Sequence, residues 1–196
     1  RPVAPLLGAL RQAGVAIEGD ALPFTVVGAG RVPGGRCTLD ASGSSQFVSA
    51  LLIGAPRFEE GLEIRHAGPP IPSRPYLSMT AGMLRARGVR VDEPEPDAWV
   101  VHPGPIAPLD EAIEPDLMNA AAFLAAALVT GGRVEMAWPE HTLQDGEGVL
   151  AALQTFGAVV ERAPGRVAVS GDAAGPRGAD VDLHDVSELT CVLAAV

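Results

Sequence analysis

The chain has 196 residues, enough for one large or two modest domains, and it is 47% apolar but only 4% aromatic, so its cores are expected to be built from Ala, Val and Leu. A formal net charge of −10 argues against nonspecific nucleic-acid binding and against an anionic membrane surface. The longest apolar run, Ala120 to Val129, falls short of the roughly 20 residues a membrane-spanning helix needs, and no signal peptide follows Arg1-Pro2, so a soluble cytoplasmic protein is expected.

The first expected helix is "PLLGALRQAGVAIE" (Pro5 to Glu18), which stops at Gly14 and turns into a short strand. Next, "VPGGRCTLD" reads as a strand carrying Cys37. "ASGSSQFVSALLIGAP" (Ala41 to Pro56) passes through small and polar residues into an apolar helix. A strand "LEIRHAG" leads through "PPIPSRPYL", where Pro75 suits a first helical position and puts Ser73 or Arg74 at a second helix entrance. The helix "SMTAGMLRARGVRVD" (Ser78 to Asp92) stops at Gly88. "HPGPIAPLDEAIEPD" (His102 to Asp116), rich in Pro and acid, reads as a crossover near Pro108 between domains 1–108 and 109–196. Beyond it come the helix "DLMNAAAFLAAALVTGG", the strand "RVEMAWP", and "GVLAALQTFGAVVE" (Gly148 to Glu161), a helix stopping at Gly157. "VDLHDVSELTCVLAAV" ends inside an apolar-periodic pattern, and with no initiator Met the sequence reads as a piece of something longer.

These segments repeat. The three glycine stops are 74 and 69 residues apart, and the unit reads strand–helix–strand–helix–strand–strand, with a third copy beginning at Val181. Such a period is longer than the roughly 20–50 residues of solenoid repeats and indicates α/β domains built by internal duplication. Cys37 and Cys191 lack metal-ligand spacing and are expected to be reduced thiols, and the four His are scattered, so no metal site is expected.

Four segments, in order, resemble the 5-enolpyruvylshikimate-3-phosphate synthase family: "RPVAPLLGALRQAGV", "SGSSQFVSALL", "IPSRPYLSMTAGML" and "EPDLMNAAAFLAAALVTGG", with "VDLHDVSELT" as a fifth. The resemblance implies an inside-out α/β fold, two barrel-like domains of βαβαββ units, here truncated at both ends. It implies transfer of the carboxyvinyl group of phosphoenolpyruvate to the 5-hydroxyl of shikimate 3-phosphate, with release of phosphate and no cofactor or metal. Its partners are those two small molecules, with no nucleic acid and no membrane. The full-length form is expected to be a monomer, and this chain alone to be inactive.

Carried over residue by residue, the resemblance assigns Ser44, Ser45 and Gln46 to shikimate 3-phosphate, with Gln46 also reaching phosphoenolpyruvate. A helix N-terminus offers unpaired N–H groups and a partial positive charge to a phosphate; the alternative is an ordinary N-cap. Ser73 and Tyr76 are expected at the same substrate, against a cap and a packed Tyr. Arg1 matches the family's clamp on phosphoenolpyruvate, against a frayed terminal Arg. Glu188 occupies the position of the proton acceptor, against a carboxylate placed by a helix dipole. Arg74 receives no contact, Asp182 reads as structural, and Asp185 stays open. "TLQDGEG" departs from the family's order and leaves Gln144 and Asp145 unassigned, and Met118 stands where Ser is usual.

One alternative is UDP-N-acetylglucosamine enolpyruvyl transferase, whose Pro-Gly-Gly-Cys loop "VPGGRCTL" echoes with Cys37 one residue late. Another is a non-catalytic binding or assembly domain of the same fold. An RNA-phosphate cyclase role is disfavoured by the net charge of −10.

Overall fold

A computed structural model describes residues 2–196; the chain divides into two compact units, one running through Asp110 and the other Glu111–Val196.

The first unit opens with α1 (Ala4–Gln12), which has Pro5 in its first turn, where a missing N–H costs no hydrogen bond. It ends against Gly14 at φ +92°, as the helix before Gly88 ends at φ +79°. After the antiparallel pair β1 (Ala16–Glu18) and β2 (Thr25–Val27) come β3 (Gly35–Leu39), α2 (Gln46–Gly54), β4 (Leu62–His66), α3 (Pro75–Ala86), β5 (Val91–Glu95) and β6 (Ala98–Val101). This is the expected βαβαββ order. The sheet runs β3-β4-β6-β5, with β3 and β4 parallel and the other pairs antiparallel.

Helix α2 carries apolar residues at i, i+1, i+4 and i+5, and Phe47, Val48, Leu51 and Leu52 are accordingly buried. They share a core with Ile64, Leu77 and Trp99. Two glycines start the parallel pair: a Cβ on Gly34 would lie 2.1 Å from Gly61 O, and Gly35 N–H donates to that same carbonyl at 3.1 Å. β3 is an edge strand. Its Thr38 N–H and C=O are both taken by the Gln12 amide, each at 2.9 Å, so a side chain does the work of a neighbouring strand. Across the outer face Glu63 accepts from Arg65 and Arg36, at 2.6 and 2.8 Å.

The second unit consists of α4 (Leu117–Thr130), β7 (Arg133–Ala137), α5 (Gly146–Thr155), β8 (Val159–Ala163), β9 (Arg166–Ser170), a 3-10 turn (Ser187–Leu189) and the short α6 (Thr190–Leu193). Its sheet order β7-β9-β8 repeats β4-β6-β5, with α5 standing where α3 stands. Asp116 caps α4 by accepting Asn119 N–H at 3.0 Å, and Gly131 ends it at φ +66°. The helix buries Leu117, Leu124 and Leu128 yet leaves Phe123 65% exposed.

Two expectations are corrected. The second copy lacks its opening strand among the described residues: 109–116 forms neither strand nor helix. Pro108 precedes the segment and Pro115 lies within it, neither able to donate to a ladder, and acidic Asp110, Glu111 and Glu114 disfavour a sheet interior. The third copy also begins without a strand, passing through coil into the 3-10 turn.

Gln144 and Asp145, left open by the sequence, hold helix ends. The Gln144 amide accepts Leu117 N–H at 2.9 Å at the start of α4, and Asp145 accepts Gly148 N–H at 2.9 Å at the start of α5. No helix among the described residues is long and apolar enough to cross a membrane.

Candidate functional site

Because β3 and β4 are parallel and each is followed by a helix, the loops 40–45 and 67–74 leave the same, carboxyl end of the sheet. In open α/β sheets ligands sit outside the carboxyl ends of strands. Here that end presents the entrances of both α2 and α3.

Ser44, Ser45 and Ser73 are the buried polar residues among those described, at 3%, 6% and 4% exposure. Ser44 behaves as a cap: its Oγ accepts Gln46 N–H at 3.2 Å. Ser45, the N-cap residue itself, makes no side-chain cap bond, so simple capping does not account for it. Gln46 is exposed at the first helical position. Ser73 has φ +53°, a left-handed conformation that costs a non-glycine residue energy and is found where surrounding structure enforces it. Pro75 is the first residue of α3 and Arg74 its N-cap, as expected. Arg74 is bound to Asp97, and Tyr76 is half-buried in the first turn.

The two loops are joined. Ala67 N–H donates to Leu39 O at 3.0 Å. His66, the last residue of β4, accepts Ala41 N–H on Nδ1 at 3.1 Å and donates from Nε2 to Pro69 O at 2.8 Å. Asp40 accepts Ser42 N–H at 2.8 Å, and the Ser42 hydroxyl and N–H together hold its carboxyl below the usual carboxylate range. Gly68 lies so close that a Cβ there would stand 2.6 Å from Asp40 Oδ1. Sequence reasoning missed His66 because it set all four His aside as scattered. Its position as the last residue of a strand, just before a proline-rich loop, was the available signal.

Glu188 lies in the second unit, exposed, in the 3-10 turn ahead of α6. Asp182 accepts His184 N–H at 2.9 Å, a structural turn as expected. Arg1 lies outside the described residues. Cys37 sits buried in the middle of β3, and burial pushes its thiol up to about 11; it is not offered from a loop as an acid. No group of three or more potential metal ligands occurs among the described residues.

Comparison with known proteins bears on all of this. The chain is 48% identical over 197 residues to the 3-phosphoshikimate 1-carboxyvinyltransferase of Mycobacterium ulcerans (strain Agy99), with 100% of this chain aligned to 46% of that protein. It therefore spans about half the length of that curated relative. Among solved structures it resembles EPSP synthase from Acinetobacter baumannii (TM-score 0.64, 22% identity, 100% of this chain and 44% of that one). It also resembles the enolpyruvyl transferase NikO from Streptomyces tendae (TM-score 0.66, 19% identity, 99% of this chain and 49% of that one). At these identities the structures speak to the fold, which is that of the enolpyruvyl transferases. A family model described as EPSP synthase (3-phosphoshikimate 1-carboxyvinyltransferase) matches residues 1–196, and the chain belongs to that family.

Proposed function

We propose that this segment serves the transfer of the enolpyruvyl group of phosphoenolpyruvate to the 5-hydroxyl of shikimate 3-phosphate, a step of aromatic amino-acid biosynthesis in the cytoplasm. One observation carries the reading beyond family membership: two helix entrances bearing buried serines leave one end of a parallel strand pair. A dianionic phosphate suits such a place, where N–H groups, hydroxyls and helix dipoles converge.

In this reading Ser44, Ser45 and Ser73 hold the shikimate phosphate, Tyr76 borders the ring, and Gln46 reaches both substrates. Arg1 clamps phosphoenolpyruvate. Glu188 accepts the 5-hydroxyl proton as that oxygen bonds to the central carbon of phosphoenolpyruvate, while the vinyl carbon takes a proton. The tetrahedral adduct then loses phosphate and a methyl proton to restore the vinyl group. The domains divide near Pro108, and the full-length enzyme works as a monomer on small anions.

The test is an assay of phosphate release in a chain of full family length that carries these residues. Glu188→Gln is expected to lower turnover roughly 10²–10⁴-fold with shikimate 3-phosphate binding retained. Turnover near that of the unsubstituted protein would remove Glu188 from its role. Absence of both binding and phosphate release in the unsubstituted protein would overturn the function.

A further inference from the structure

We infer that His66 is a positioning residue for the phosphate-binding end of the first unit: its neutral imidazole, protonated at Nε2, fixes the loop that carries Ser44 and Ser45 against the loop that carries Ser73. The inference rests on the functional reading above.

The ring has one acceptor and one donor, and both are used. Nδ1 accepts Ala41 N–H at 3.1 Å, and Nε2 donates to Pro69 O at 2.8 Å. An N–H donor facing Nδ1 requires a bare lone pair there, which selects the tautomer. On one side, the Ala41 carbonyl accepts Ser44 N–H at 3.0 Å, so the residue held by His66 forms the turn that delivers the serines to α2.

On the other side, positions 69, 70, 72 and 75 are prolines, which lack N–H groups. That loop has few donors with which to order itself, and the imidazole reaches it as a donor from outside. A Lys or Arg at this position would supply donors but no acceptor for Ala41. The charged group facing the ring from the neighbouring loop is Asp40, whose carboxylate is occupied by Ser42. His66 touches no reacting atom in this scheme; it sets the separation of the two serine-bearing entrances.

The test uses a chain of full family length carrying these residues, with shikimate 3-phosphate as probe. His66→Leu removes donor and acceptor and is expected to raise KM and Kd for shikimate 3-phosphate about tenfold, with kcat within about threefold. His66→Asn places a carbonyl oxygen where Nδ1 lies but cannot reach Pro69 O, and is expected to recover part of the loss, with a Kd between those of His66→Leu and the unsubstituted protein. Imidazole ¹⁵N shifts should report a proton on Nε2 and none on Nδ1. A proton on Nδ1, or unchanged affinity in His66→Leu beside a binding unsubstituted protein, would overturn the inference alone. So would a His66→Asn variant that folds but binds no better than His66→Leu. Failure of the unsubstituted protein to bind shikimate 3-phosphate would overturn the functional reading and this inference with it.

Discussion

Ser49 Oγ lies 3.1 Å from Thr80 Oγ1, joining α2 to α3 just inside their entrances. Thr80 Oγ1 spends its own proton on Tyr76 O at 2.7 Å, so Ser49 is the donor of the pair. Thr80→Val keeps the shape and deletes both bonds, and is expected to cost about 1–2 kcal/mol; Ser49→Ala should cost about 0.5–1.5. Because they share a bond, the double variant should fall short of additivity by about 0.5–1 kcal/mol, read from urea midpoints. Strict additivity would mean that the hydroxyls are not coupled.

The two serines of the α2 entrance should separate by experiment. Ser44→Ala loses the bond to Gln46 N–H and is expected to lower stability by about 0.5–2 kcal/mol, whereas Ser45→Ala, which removes no cap bond, should change it less. Both should weaken shikimate 3-phosphate more than unphosphorylated shikimate, by about 1.5–3 kcal/mol per lost charge-assisted bond. Calorimetric titration of both ligands decides it: equal weakening would remove the serines from contact with the phosphate.

Ser73, at φ +53°, offers a contrast of a different kind. Ser73→Ala and Ser73→Gly both lose the hydroxyl, but only glycine adopts this conformation without strain. The glycine variant should be the more stable of the two by about 1 kcal/mol, while both lose similar affinity for shikimate 3-phosphate. If alanine proved as stable as glycine, the backbone would not be strained there.

The thiols should differ sharply. Cys37 is buried with its ionisation pushed up to about 11, while Cys191 is exposed. At pH 8 a disulfide reagent should titrate one thiol in the native chain and two in denaturant, since the thiolate is the reactive form. Rapid native reaction of both would contradict the burial of β3.

Acid should weaken the fold through its paired carboxylates. Arg65 and then Arg36 hold Glu63 below its ordinary 4.5; Arg133 and then Arg166 do so for Glu135, and Arg162 for Glu147. A carboxyl whose folded pKa is depressed contributes stability above its unfolded value and loses it as pH falls through the folded one. Thermal midpoints should therefore be level between the ordinary Glu value and the ordinary Cys value of 9.0, above which the buried Cys37 thiol begins to cost stability, and should decline below the ordinary Glu value. Glu63→Gln should flatten part of the decline; an unchanged profile would remove Glu63 from the cause.

Much of the first unit was legible because its signals are local. Helical spacing and the glycines at 14, 88 and 157 mark helix ends whatever lies elsewhere, and all three adopt positive φ. The serine entrance was legible for the same reason. The missing opening strand of the second copy was not, because pairing depends on a partner and Leu109–Asp116 has none among the described residues. His66 was hidden more deeply. Its bond to Ala41 spans 25 residues and exists only because β4 ends opposite the end of β3. Gln144 likewise meets Leu117 across 27 residues, which no short motif announces.

The parallel pair also works as a gauge. Both strands start at the Gly34–Gly61 crossing, too tight for any side chain, and run five residues in step from Gly35 opposite Leu62 to Leu39 opposite His66. Length is counted in whole residues of roughly 3.3 Å, and each count also turns a side chain to the other face. The spacing of the two serine-bearing mouths is therefore quantised. Neutral drift by insertion or deletion is barred between the crossing and the mouths on either strand. Helix α2 and the chain that follows it back to Gly61 can change length with no effect on that count.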